Sequence, residues 1–266
     1  MIKVQKINIP ALPTEKPRRL YVYLPKGYEK SEKRYPVVYM FDGHNVFYDS
    51  HATYGKSWGM KQYLEKTGLE VILVAVECNP EGHRRLNEYS PFDFTAAGLG
   101  NMEGLGKVTM DWFTRELKPM IDEKYRTLED REHTMIAGSS FGGLLAIYAV
   151  TEYNAYFSRA AALSASLWVS PKQLNDLIKR TPLASPTLVY TDLGTAEVGK
   201  HTDAYRSMFN TAKLLSLSGA AVDARIVPGA EHSEKYWEER IPVFFDYLAF
   251  LRSSHTYPTP CQTKNF

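Results

Sequence analysis

Residues 133–148 read HTMIAGSSFGGLLAIY: a short apolar run, then Gly-Ser-Ser-Phe-Gly-Gly, then a second apolar run at helical spacing. The pattern Gly138-x-Ser140-x-Gly142 thus falls between a predicted strand (133–137) and a predicted helix (144–148). A serine at such a junction stands on a sharp turn with its hydroxyl held in the open. Flanking glycines leave room for the strained backbone and the close approach of helix to strand. The backbone N–H of Phe141, first in the predicted helix, then points at a developing oxyanion. Acyl transfer through an activated hydroxyl is the chemistry this arrangement serves.

An activated serine needs a base, and the base needs an orienting carboxylate. With a serine on this kind of turn, the acid and then the histidine follow it along the chain. Three histidines follow: His201, His232 and His255. His232, in IVPGAEHSEKYW, lies between the last predicted strand and the last predicted helix, at the carboxyl edge of a sheet. His201 is better placed to begin a helix, and His255 lies in the tail. The acid belongs after the strand TLVYTD, where Asp192, Glu197 and Asp203 are candidates. Position favours Glu197, in a turn beyond the strand, with Asp192 as the alternative; Asp203 reads as a helix cap. Glu231 reads as a solvated loop charge. A second oxyanion donor is expected from the loop VVYMFDGHNVFYD, with Gly43 making the turn and the N–H of His44 donating. His44 has no partner at metal-binding spacing, so no metal site is expected. Of the aromatic residues Phe47, Tyr48, Tyr54, Trp58, Tyr89, Phe92, Trp168 and Trp237, the best candidates for substrate contact are Trp168 and Trp58.

These residues need a scaffold of alternating strands and helices. Strand-like runs occupy 19–24, 37–41, 71–77, 133–137, 160–163, 188–192 and 222–227. Several are continuously apolar, as strands of a parallel sheet are when both faces are covered. The first, RLYVYLP, alternates and reads as an antiparallel edge. Helices are expected at 58–66, 105–125 with a bend at Pro119, 144–153, 203–216 and 235–251. The polar loops 42–57 and 78–104 follow strand ends, where open α/β sheets bind ligands. The 266 residues carry 32 basic and 30 acidic side chains, a net charge of +2, so nucleic-acid binding is not expected. Residues 1–19 lack the apolar core of a signal peptide, and no run reaches membrane-spanning length. A cytoplasmic protein is therefore expected. Cys78 and Cys261 suggest neither a disulfide framework nor a metal cluster.

The landmarks YVYLPKGYEKSEKRYPVVYMFDGHNVF, ELKPMIDEKYR, AGSSFGG, ALSASLW, LGTAE and PGAEH run through residues 17–252. In these the chain resembles the α/β-hydrolase esterases that include esterase D, enterobactin-type siderophore esterases, feruloyl and acetyl xylan esterases, and mycolyltransferases. The resemblance implies an α/β-hydrolase fold, with a mostly parallel central sheet and helices on both faces. The expected organisation is one domain over 1–266, its core at about 17–252 and a loosely held tail at 253–266. The resemblance makes Ser140 the nucleophile and His232 the base. It places the acid after a Gly-Thr pair, which matches Glu197, although many members carry aspartate there. Asp42-Gly43-His44-Asn45 resembles the family's Asp-Gly-Gln-Asn oxyanion loop, with histidine for glutamine. It further implies a serine carboxylic-ester hydrolase without metal or organic cofactor. The expected substrates are small acyl or sugar-linked esters of acetyl or feruloyl type, with a homo-oligomer compatible. The alternatives are an acyltransferase with the same triad, a siderophore-type esterase, or a non-catalytic binding member.

Overall fold

The computed structural model describes residues 1–96, 98–197 and 203–248. His201, His255, Cys261 and the tail at 253–266 lie outside the described residues.

The strands in chain order are β1 (Ile2–Ile7), β2 (Arg18–Tyr23), β3 (Val37–Met40), β4 (Ile72–Val76), β5 (Phe94–Ala96), β6 (Gly100–Met102), β7 (Thr134–Ser139), β8 (Arg159–Leu163), β9 (Leu188–Gly194) and β10 (Ala221–Val227). The helices are α1 (Met60–Thr67), α2 (Arg84–Tyr89), α3 (Gly106–Trp112), α4 (Lys118–Lys124), α5 (Phe141–Glu152), α6 (Pro171–Arg180), α7 (Asp203–Leu217) and α8 (Glu234–Leu248). Eight strands form one sheet in the order β1-β2-β4-β3-β7-β8-β9-β10, while β5 and β6 make a separate hairpin. The pairings β1–β2 and β2–β4 are antiparallel, and every pairing from β4 to β10 is parallel.

The continuous apolar runs are explained by burial on both faces. Along β3 and β4, Val37, Tyr39, Ile72, Val74 and Val76 join one core with α5, while Val38, Met40, Leu73 and Ala75 join the other with α1 and α8. On the second face Tyr63 of α1 stacks on Phe245 of α8 at 5.6 Å between ring centroids. The sheet is therefore the middle layer of three, and its parallel strands all end at one edge.

Two expectations change. RLYVYLP is antiparallel, but the edge beyond it is taken by β1, whose register runs from Ile2 opposite Tyr23 to Ile7 opposite Arg18. Residues IKVQKI escape notice because only half of them are partly buried and the rest are exposed. The long helix at 105–125 is two helices joined by a wide π-type turn over Phe113–Leu117. Pro119 lies in the first turn of α4, where its missing N–H costs least, and the wide turn immediately before it takes up the change.

The turn after β3 is wedged against the end of β4. A Cβ on Gly43 would lie 2.7 Å from the backbone carbon and oxygen of Ala75 and 2.8 Å from that of Val76. We expect Gly43→Ala to cost about 1–3 kcal/mol through forced backbone displacement. At roughly 2–4 °C per kcal/mol for a chain of this size, thermal melting followed by circular dichroism checks this. An unchanged Tm would show that the turn has slack.

Candidate active site

Ser140 sits between β7 and α5 with φ 58° and ψ −124°. Its N–H donates to Leu163 O at 3.0 Å, and its carbonyl accepts from Leu144 at 3.1 Å and Ser166 at 3.0 Å. Three glycines make room for this turn. A Cβ on Gly138 would meet the Gly142 carbonyl carbon at 2.7 Å, and one on Gly143 would meet Ala165 Cβ at 2.9 Å. Among the described residues the Ser140 hydroxyl has one weak hydrogen-bond contact, Ser166 Oγ at 3.5 Å, and His232 bonds Glu197 rather than this hydroxyl. The hydroxyl faces a cleft of about 660 Å³ that Asp42, His44, Asn45, His232 and Glu234 also line.

His232 Nδ1 hydrogen-bonds Glu197 Oε2 at 2.7 Å. Its ring stands edge-on to Trp237 at 5.2 Å. The imidazole is 39% exposed, whereas the Glu197 side chain is 2% exposed. Burial would push the Glu197 carboxyl up; hydrogen bonds from His232, the Gly194 N–H and Ser164 outweigh it and hold the group below its ordinary range. The loops bearing the two residues are stitched together: Thr195 N donates to Val227 O and Ala196 N to Ala230 O, both at 3.0 Å.

Asp192 is not against His232. Its Oδ1 accepts from Arg240 Nη1 at 2.7 Å and Ser164 N at 3.1 Å, and its Oδ2 accepts from Tyr190 at 2.7 Å. Here burial prevails over the Arg240 charge, and the Asp192 carboxyl is raised. Ser164 connects the two acids: its hydroxyl donates to Glu197 Oε1 at 2.9 Å and accepts from Trp237 Nε1 at 2.8 Å and Arg240 at 3.1 Å. Ser164, Asp192 and Arg240 form a network that sequence spacing does not signal, because its members come from three distant elements.

The Gly43–Asn45 turn forms another wall. Asp42 adopts φ 55°, donates its N–H to the Tyr89 hydroxyl at 3.0 Å, and grips Arg85 through two bonds of 2.7 Å. The strand order also brings Cys78, just past β4, beside this turn. Ligand atoms of Asp42, His44 and Cys78 lie within 4.8 Å of one another, a proximity absent from the sequence spacing. Both Asp42 oxygens already serve Arg85, and burial pushes the Cys78 thiol well up. This trio is therefore a poor cation cradle.

The aromatic expectations need correction. Trp58 is 2% exposed and packs on Trp237 at 5.6 Å, in the core behind the cleft. Trp168 is half-buried against the opposite core and does not line the cleft. Phe47 and Tyr89 are buried, and the aromatic residues that do line the cleft are Tyr54 and Trp237. Large aromatic residues near a loop are as readily core as rim, and sequence alone does not separate the two.

A mostly parallel sheet covered by helices on both faces, with a serine on a strained strand-to-helix turn, is the α/β-hydrolase fold. The "Putative esterase" family model matches residues 13–247, and the chain belongs to that family. It is similar to the uncharacterized protein YbbA of Bacillus subtilis (strain 168), 26% identical over 232 residues, covering 83% of this chain and 88% of that protein. An IroE-like serine hydrolase from Shewanella oneidensis shares the fold with a TM-score of 0.74 at 21% identity, over 93% of this chain and 81% of that one. The siderophore hydrolase EstA from Aspergillus nidulans does so at 0.71 and 16% identity, over 92% and 94%. Among the described residues, no helix is long and apolar enough to cross a membrane.

The Asp42–Arg85 pair gives a prediction with a defined sign. Burial alone would raise the Asp42 carboxyl, but Arg85 more than offsets this and the group lies below its ordinary 3.8. The stability it contributes is present above that ordinary value and is lost as pH falls through the lower folded one. We expect Asp42→Asn to cost about 2 kcal/mol at pH 7, below the usual figure for fully buried pairs because Arg85 is partly exposed. The Tm gap to the unmutated protein should narrow as pH falls below about 4. A gap independent of pH would assign the loss to packing.

Proposed function

We propose that the protein hydrolyses small acyl or sugar-linked esters, of acetyl or feruloyl type, through Ser140, His232 and Glu197 and a covalent acyl-enzyme. The observation that carries this reading is the 2.7 Å contact between His232 Nδ1 and Glu197, at the cleft that the Ser140 hydroxyl also faces. Ser140 Oγ attacks the ester carbonyl carbon while its proton passes to His232 Nε2. The carbonyl oxygen becomes an oxyanion held by the N–H groups of Phe141 and His44, each worth a few kcal/mol of barrier. The tetrahedral intermediate collapses, the C–O bond breaks, and the imidazolium delivers its proton to the departing alcohol. Water, deprotonated by His232, then attacks the acyl carbon, and Ser140 leaves with the proton. Glu197 fixes the imidazole tautomer and stabilises its cation.

The cleft favours a neutral, hydroxyl-bearing substrate over an anionic siderophore. Its two guanidinium groups are already committed, Arg19 to Glu77 at 2.6 Å and Arg85 to Asp42 at 2.7 Å. Thr53, Asn79 and Tyr54 add polar groups suited to a sugar or polyol. An acyltransferase would use the same residues with an alcohol acceptor in place of water, and acceptor-dependent turnover separates it.

With p-nitrophenyl acetate, Ser140→Ala is expected to lower kcat by at least about a thousandfold while the melting curve is kept. Retained turnover would remove Ser140 from the mechanism. Glu197→Gln should lower kcat by roughly 10³-fold or more, by analogy with tautomer loss in other triads. Asp192→Asn, facing Arg240 instead, should lower Tm and leave kcat within about tenfold. The reverse ranking of the two would reassign the acid.

A further inference from the structure

Glu234 opens α8 two residues after His232, and the proposed ester chemistry does not use it. It is 5% exposed, yet it lines the cleft beside His232. No ion pair joins it to a cation among the described residues. Its Oε1 accepts a hydrogen bond from Asn45 Nδ2 at 3.0 Å, across 189 positions of sequence. Apart from this bond the carboxyl is met by its own backbone N–H; a buried carboxyl with so little compensation is costly, so the bond to a residue so far along the chain calls for a structural reason.

Asn45 holds the oxyanion turn from several sides. Its N–H donates to Asp42 O at 2.8 Å and closes the turn around His44. Its carbonyl accepts from Trp58 N at 2.8 Å, and its Oδ1 accepts from Thr53 N at 2.9 Å. With Oδ1 engaged, the amide is oriented and Nδ2 is aimed at Glu234. At the other end, Glu234 shares α8 with Trp237, whose ring abuts His232 and whose Nε1 reaches Ser164 beside Glu197.

We propose that the Glu234–Asn45 hydrogen bond is a latch that sets the spacing between the turn bearing the His44 N–H and the loop bearing His232. Glu234 is thus a positioning residue that acts through Asn45, without touching substrate. This rests on the reading of His44 as an oxyanion donor. The latch needs an acceptor at the end of a side chain of this length; it does not need a charge. A glutamine in place of Glu234 would supply that acceptor, and an aspartate, one methylene shorter, would withdraw it.

The test compares Glu234→Gln, Glu234→Asp, Asn45→Ala and the Glu234→Asp/Asn45→Ala double variant. Turnover of p-nitrophenyl acetate is read on the alkaline plateau of the pH profile, with inhibition by phenylboronic acid, whose adduct occupies the oxyanion site. Glu234→Asp and Asn45→Ala should each lower kcat by about 10–100-fold with KM changed less than about threefold, since misplaced oxyanion donors are felt in the transition state. Boronate affinity should fall in parallel. The double variant should be no worse than the more damaged single one, and Glu234→Gln should stay within about threefold of the unmutated enzyme. Folding of each variant is verified by its melting curve, and the contrast between the glutamine and aspartate variants stands even where another variant is unstable. Unchanged kcat in Glu234→Asp, equal damage in Glu234→Gln, or multiplicative losses in the double variant would each overturn the latch. Turnover surviving in Ser140→Ala is a separate result, which overturns the triad reading itself.

Discussion

The backbone at Ser140 has φ 58° and ψ −124°, a conformation that costs an L-residue of order 1–3 kcal/mol. It persists because β7, α5 and the segment after β8 leave the chain no other route. Leu163, Leu144 and Ser166 bond to both sides of the peptide, and glycines at 138, 142 and 143 let the helix start directly on the sheet. The same geometry leaves the hydroxyl facing the cleft with one long contact. Asp42, at φ 55° after β3, is a second strained position on the same edge of the sheet. With Ser164 after β8, three non-glycine residues of positive φ stand at neighbouring strand ends, where the fold gives up local stability to shape a cleft.

Electrostatics divides the acids behind the cleft. Arg240 lies within 2.7 Å of Asp192 and 4.0 Å of Glu197, so one buried guanidinium serves two buried carboxylates. Asp192 takes the direct contact and remains raised, because its burial outweighs the charge it meets. Glu197 is lowered by His232 and by donors from Gly194 and Ser164. The carboxyl shifted down is the one against the imidazole, and its neighbour, shifted up, anchors the floor against Arg240. Ser164, at φ 46°, is the hydroxyl through which both parts are joined.

Much of this was legible in the sequence, for identifiable reasons. Continuous apolar runs reported the parallel strands because both faces of the sheet are covered. Ser140, Glu197 and His232, the residues proposed to act on the ester, each stand beyond a strand end, where polar residues interrupt apolar ones. Strand β1 was not legible, since IKVQKI mixes charges into a half-exposed edge. Nor was the Ser164–Asp192–Arg240 network: Arg240 sits in a helix whose spacing reads as amphipathic, and its burial emerges only once α8 docks on the sheet. Trp58 and Trp168 misled because ring size does not reveal which side of a loop a ring packs on. Cys78 lies beside His44 only because β4 and β3 are sheet neighbours, which depends on strand order. The Glu234–Asn45 contact is hidden for the same reason, being made by residues from opposite ends of the chain.

The chemistry proposed for the cleft turns on Ser140 being the group that becomes acylated. The most direct measurement is labelling with a fluorophosphonate probe, followed by mass mapping of the modified peptide, on the unmutated protein and on His232→Ala. The expected result is a single adduct on Ser140, formed much more slowly once His232 is gone. An adduct on another residue, or labelling at the same rate without His232, would contradict it.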